Sequence, residues 1–137
     1  MIRNLAGVGT VLALSLGLAH AAEKIDLSKI PPASTNKGVT YATDIKPIFE
    51  KSCIKCHGAE KPKARLRLDG LETTLKGGED GKVILPGNSA GSMLVHSIAH
   101  VGKPDDFMPP PRNKAHIPPL TAEQIGLIRA WIDQGAK

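Results

Sequence analysis

The most constraining feature of this 137-residue chain is the segment Cys53-Ile54-Lys55-Cys56-His57, which contains both of its cysteines. On a helical turn, positions i, i+3 and i+4 face the same side, so the two thiols and the imidazole would converge. A disulfide between these cysteines would close a very short loop and add little stability. The pair therefore needs a role other than a structural cross-link.

The first residues have the pattern of an export signal. Arg3 provides a short positive region, and the apolar run over 8–18 is too short to span a bilayer. Ala19-His20-Ala21 supplies a small-x-small cleavage pattern. We therefore predict a signal peptide over 1–21, with a retained anchor as the alternative. The mature protein is expected to be soluble, in the periplasm or otherwise exported, with no integral membrane segment after cleavage.

The pattern C-x-x-C-H is typical of c-type haem attachment, in which two thiols form thioethers and the histidine binds iron. A thioredoxin-like dithiol expects a preceding strand within a βαβ unit, and no such pattern is evident. A zinc site needs two further ligands, for which His96 and His100 are candidates. The sequence favours one covalent haem c, attached at Cys53 and Cys56, with His57 as the proximal iron ligand.

The second axial ligand of the iron is less constrained by the sequence. Met108 is favoured because it lies in a proline-dense stretch over 102–120, and methionine opposite histidine suits electron transfer. Met93 lies on an apolar helix face, where core packing is the simpler interpretation. The alternatives are an open site, Met93, or bis-histidine ligation through His96, His100 or His116.

Apolar spacing predicts a few short helices separated by long loops. Ile45, Ile48 and Phe49 form one face of a first helix, capped by Asp44 or Thr43, which leads into the cysteine motif. A second helix is predicted from a cap at Asn88 or Ser89 to about His100. Thr121 and Gln124 form a capping box for a last helix, whose buried stripe is Ile125, Ile128 and Ile132.

The remaining segments are predicted to be irregular. Residues 22–40 are polar, contain Pro31-Pro32 and have no apolar periodicity, which predicts a flexible leader before a domain over 41–137. Residues 61–85 resemble a loop, with a short strand possible at 83–85. Only four residues are aromatic, so a porphyrin would help to fill the core.

The formal net charge is +5. No basic run is interleaved with aromatic residues, which gives nucleic-acid binding little support. Basic side chains instead surround the cysteine motif, and they could steer an acidic redox partner toward it. These residues are Lys46, Lys51, Lys55, Lys61, Lys63, Arg65 and Arg67.

Residues 41–137 resemble a small class I-type cytochrome c domain of the planctomycete type. The matching motifs are Ile48-Phe49, Cys53 to His57, Leu66-Arg67-Leu68-Asp69, Pro86-Gly87-Asn88-Ser89, Phe107-Met108-Pro109-Pro110 and Ile128-Arg129-Ala130-Trp131-Ile132. The resemblance implies an all-α fold with long irregular loops around one haem, near which the first and last helices cross. It also implies His57 as the proximal ligand and Met108 as the distal ligand.

The leading functional hypothesis is a periplasmic monohaem cytochrome that carries single electrons between redox proteins and is not an enzyme. One alternative is a haem-bearing relay subunit of a larger dehydrogenase. Another is a peroxidase-like or gas-binding haem protein, which requires an open sixth position on the iron.

Overall fold

The computed structural model describes residues 24–137, which form five short α-helices joined by turns and long loops. A π-helical turn spans Tyr41–Ile45, and 3-10 turns span Leu27–Lys29, Lys63–Arg65 and Pro104–Asp106. The helices are α1 (Lys46–Ser52), α2 (Ile54–His57), α3 (Leu71–Lys76), α4 (Met93–Ile98) and α5 (Ala122–Asp133).

The predicted all-α fold class is confirmed, because the described residues contain no strand and only an isolated bridge between Gly78 and Gly81. None of the helices within 24–137 has the length and apolar character needed to cross a membrane. The predicted signal peptide over 1–21 lies outside the described residues.

An aromatic cluster packs the start of the domain against its last helix. The ring centroids of Tyr41, Phe49 and Trp131 lie 6.0 to 6.4 Å apart, with edge-to-face or tilted orientations. Phe49 and Trp131 are fully buried. Both polar groups in the cluster are satisfied, since Tyr41 donates its hydroxyl to Leu68 O at 2.9 Å and Trp131 donates Nε1–H to Lys137 O at 2.9 Å. These contacts fix α5 against the segment that leads into the cysteine motif.

The last helix follows its sequence prediction closely. Thr121 Oγ1 accepts from Gln124 N, and Gln124 Oε1 accepts from Thr121 N, which completes the capping box. Ile125, Ile128 and Ile132 are buried as predicted.

The starts of the two earlier helices differ from the predictions. Thr40, not Asp44 or Thr43, caps the first helical segment, and the Asp44 carboxylate accepts from the Thr40 N–H at 2.9 Å. The helix predicted to start after Asn88 or Ser89 begins only at Met93. Asn88 instead closes a turn by accepting from Gly91 N–H at 2.9 Å.

Residues 61–85 contain more helix and less strand than predicted. α3 was missed, because its six residues are too few for an apolar stripe to repeat. The strand considered at 83–85 is absent, and Val83 O accepts from Leu94 N at the start of α4. Leu66 and Leu68 are both buried.

Residues 24–40, which we call the strap, run along α5. Ser34 N–H donates to Gly126 O at 2.9 Å, and Arg129 Nη1 donates to Pro31 O at 2.5 Å. Ile30 and Val39 are buried. The domain boundaries and the flexibility expected for 22–40 stay predictions. The contact with α5 was missed because two isolated apolar residues make no periodic pattern.

Candidate functional site

A cavity of about 260 Å³ lies between the cysteine motif and the proline-dense loop. Cys53, Cys56 and His57 line one part of it, and Met108 lines another. The other lining side chains are largely apolar and include Leu66, Leu68, Val83, Leu94, Ile98 and Ile117. The structure therefore brings the four predicted site residues to one apolar cavity.

The junction of α1 and α2 positions the cysteine motif. Cys53 ends α1 with φ of −126°, and α2 starts at the next residue. Cys53 O then accepts from the amides of Cys56 and His57 at 3.1 and 2.9 Å. This single turn places residues at i, i+3 and i+4 on one side, as the spacing predicted.

The surroundings of His57 select one tautomer of its ring. His57 Nδ1 lies 3.2 Å from Leu66 O, and a carbonyl can only accept, so Nδ1 carries the proton. Nε2 is then left with a free lone pair, which is the arrangement that metal-binding histidines need. A backbone hydrogen bond joins the same two segments, because Leu68 N–H donates to His57 O at 2.8 Å.

Burial also favours the uncharged forms of His57 and Cys53. Desolvation lowers the pKa of His57, which keeps its imidazole neutral and able to bind a metal. Desolvation, with a smaller effect from Cys56, raises the pKa of the Cys53 thiol to about 12. A thioredoxin-like nucleophile needs a lowered thiol pKa, so this environment disfavours the dithiol alternative.

The other candidate ligands are placed differently. Met93 also lines the cavity, but it is 44% exposed, so the expectation that it packs in the core is wrong. His96 Nε2 lies 2.6 Å from Ala90 O, His100 stacks on Phe107, and His116 is exposed. None of the three histidines is among the residues that line the cavity.

The zinc alternative gains no support from the described part of the chain. Within 24–137, no group of three or more histidine, cysteine or acidic side chains is arranged to hold a metal ion.

Acidic residues at the cavity were missed by the sequence analysis. Glu79, Asp80 and Asp106 are exposed residues that contribute to its lining, together with the exposed Lys63. The three acidic residues lie in two segments far apart in sequence, so no linear charge pattern reveals the grouping. Because Lys63 comes from a third segment, the charged residues that line the cavity are of both signs.

Comparison with known protein families finds a match over the cysteine motif and the loop that carries Met108. Residues 53–112 match the family model described as planctomycete cytochrome C. This match supports a planctomycete-type cytochrome c domain in the chain. No curated protein and no solved structure matches the chain. The cytochrome c domain implies a haem-binding protein that transfers electrons.

The residues at the cavity fit the haem that a cytochrome c domain implies. Two cysteines and a histidine at the C-x-x-C-H spacing share one turn, and the tautomer of His57 leaves Nε2 free. The remaining walls are largely apolar, as a porphyrin face requires. Cys53, Cys56 and His57 could hold a haem from one side, and Met108 supplies a thioether on the cavity wall.

Proposed function

We propose that the chain is an exported monohaem c-type cytochrome that carries one electron at a time between redox proteins. The observation that carries the proposal is the shared apolar cavity, which gathers Cys53, Cys56, His57 and Met108 from two separate segments. Haem bound there supplies an iron centre that alternates between two oxidation states. Since the chain has only two cysteines, a second haem could not be attached in the same way.

Each site residue has a distinct role in this proposal. Cys53 and Cys56 form the two thioether links, which prevent loss of the haem outside the cytoplasm. His57 binds iron through Nε2 while Leu66 O holds its other ring nitrogen. Met108 would supply a sulfur ligand to the iron as well, which would raise the reduction potential and keep a substrate from the metal.

The proposed partners are redox proteins with acidic docking surfaces. Lys51 and Lys55 are exposed on the two helices that carry the cysteine motif. Exposed charges of one sign speed the encounter with an oppositely charged partner. Glu79, Asp80 and Asp106 line the cavity and would repel an acidic partner. We therefore propose that the docking surface lies on the side of α1 and α2.

The decisive experiment is an absorption spectrum of protein matured in a host with haem-attachment machinery. We expect covalent haem and, in the ferric state, the far-red band that reports methionine sulfur on iron. Met108→Ala should abolish this band, lower the reduction potential and allow carbon monoxide to bind the ferrous iron. Met93→Ala is the matched control, because it removes another methionine of the same cavity and should leave all three properties unchanged.

Other outcomes point to specific alternatives. If Met93→Ala abolishes the band and Met108→Ala does not, the distal assignment is wrong. Carbon monoxide binding to the wild-type ferrous protein would favour the peroxidase-like or gas-binding alternative. Stable co-purification with a catalytic subunit would favour the dehydrogenase relay. Absence of covalent haem would overturn the proposal.

A further inference from the structure

The loop that presents Met108 is built from residues that can make few backbone hydrogen bonds. Pro109, Pro110 and Pro111 follow Met108 directly, and Pro118-Pro119 follow Ile117. Proline has no amide hydrogen, so these positions cannot donate to a neighbouring segment. A loop of this composition must be held in place by other groups if its methionine is to keep one position.

The chain before Met108 is anchored to α4 and to the turn that follows it. Met108 N–H donates to Ser97 O at 3.0 Å. The Phe107 ring stacks on His100, with centroids 4.8 Å apart and planes within 3° of parallel. Two anchors therefore fix the entrance to the loop.

After Met108, the side chain of Asn113 makes three hydrogen bonds to the backbone of the loop. Asn113 Nδ2 donates to Pro110 O and to Ile117 O, both at 2.9 Å, and Asn113 Oδ1 accepts from Ile117 N–H at 2.8 Å. Both side-chain polar atoms of Asn113 are thus used within the loop. They tie its two ends together, which the prolines cannot do through their own amides.

The residues that Asn113 ties together belong to the same cavity wall as Met108. Pro110, Asn113 and Ile117 all line the cavity, as does Met108. A change in the loop between 110 and 117 would therefore move the wall from which the methionine projects.

We propose that Asn113 is a positioning residue that holds the Met108 loop closed against the haem iron by tying Pro110 to Ile117. The inference rests on the proposed role of Met108 as distal ligand. Asn113 acts through the backbone of the loop and does not itself contact the iron. Its loss should raise the population of a state in which Met108 has left the axial position.

The test measures how well an added ligand competes with Met108. Imidazole binds ferric iron only when the methionine has left, so its apparent Kd is inversely proportional to the open fraction. Asn113→Asp keeps the acceptor oxygen and the size of the side chain but removes both donated hydrogen bonds. We expect the apparent Kd for imidazole to fall about tenfold or more, since two neutral hydrogen bonds are lost.

Asn88→Asp is the matched control, because it introduces the same charge in another side-chain-closed turn. The only side-chain hydrogen bond of Asn88 in the described structure is accepted by Oδ1 from Gly91 N–H, and aspartate can accept it equally well. Asn88 does not line the cavity. Its substitution should change the apparent Kd by less than about twofold, as expected of a surface change without lost contacts.

Two further variants make the result decisive. Met108→Ala sets the affinity of the fully open site, and both Asn113 variants should lie between it and the wild type. Asn113→Ala gives the same readout without a charge if Asn113→Asp fails to mature with haem. If Asn113→Asp and Asn113→Ala bind imidazole with the wild-type Kd, the positioning role is wrong. If Met108→Ala itself leaves the wild-type Kd unchanged, the distal ligand assignment is wrong, and the inference fails with it.

Discussion

Ser89 does not cap a helix, as its sequence position suggested, but links two distant segments of the chain. The sequence marked it as a possible helix cap, but its hydroxyl is buried and donates to Asp133 Oδ2 at 2.9 Å. Ser89 N–H donates to Asp133 Oδ1 at 2.8 Å, and Arg129 Nε donates to Ser89 Oγ at 3.1 Å. The side chain thus joins the loop before α4 to the end of α5, 40 or more residues away.

Replacing Ser89 by alanine should lower the free energy of unfolding by about 1–3 kcal/mol, because the buried hydroxyl makes two hydrogen bonds, to the charged Asp133 and Arg129, and both are lost. Urea denaturation with and without the substitution measures this difference. Ser28→Ala is the control, since Ser28 is exposed and, among residues 24–137, its side chain bonds to nearby Asp26; it should cost less than about 0.5 kcal/mol. Equal losses for the two variants would contradict the role assigned to Ser89.

At the residue scale, spacing alone predicted that the cysteine motif would converge on one turn. It could not predict that Leu66 O would hold His57 Nδ1, because that contact joins segments with no common pattern. The same holds for Asn113, whose partners are backbone atoms. Backbone acceptors are supplied by every residue type, so a sequence gives no sign of which one lies within reach.

At the scale of helices and loops, α5 is the element that the sequence predicted best. Its capping box and its isoleucine stripe are local patterns that span several turns. α3 and α4 have six residues each, which is too short for such patterns to repeat. The sequence pattern of α5 did not reveal that the strap packs along this helix.

Gly126 allows the strap to approach α5 closely. A Cβ atom at this position would lie 2.8 Å from Pro32 O and 3.4 Å from Ser34 N. Gly126→Ala should therefore loosen the strap, although alanine favours a helix over glycine by about 1 kcal/mol. We expect faster proteolysis within the strap together with unchanged or lower stability of the whole domain.

Limited proteolysis followed by mass spectrometry measures the release of the strap. Glu123→Ala is a suitable control, because it also introduces alanine into α5 but at an exposed position. It should leave the cleavage rate of the strap unchanged. Unaltered cleavage in Gly126→Ala would mean that the backbone of the strap adjusts without losing its contacts.

At the scale of the whole molecule, the scarcity of aromatic residues led us to expect a core completed by a porphyrin. The structure instead contains two separate apolar regions, an aromatic cluster and the cavity. Tyr41, Phe49 and Trp131 form a cluster of their own, and none of the three lines the cavity. The cavity is enclosed mainly by loops and by the short helices α2 and α4, whose side chains at the cavity would lose a packing partner without haem.

Wild-type chain produced without haem attachment should therefore lose order unevenly. Amide hydrogen exchange should be much faster at Leu68 and Met108, whose N–H groups are bonded within the cavity walls, than in the haem-bearing protein. The Ala136 N–H, which donates to Trp131 O beside the aromatic cluster, should keep most of its protection. A uniform loss at all three amides would instead mean that the molecule folds as a single unit only with haem.

The strap is bound to α5 largely through its own backbone. Pro31 O and Asn36 O accept from side chains of α5 and the residue after it, and Ser34 N–H donates to a helix carbonyl. These groups are unchanged when one side chain is exchanged for another, but they move out of register when a residue is inserted or deleted. Among natural variants of this chain, we therefore expect residues 31–36 to vary in identity while their number stays constant.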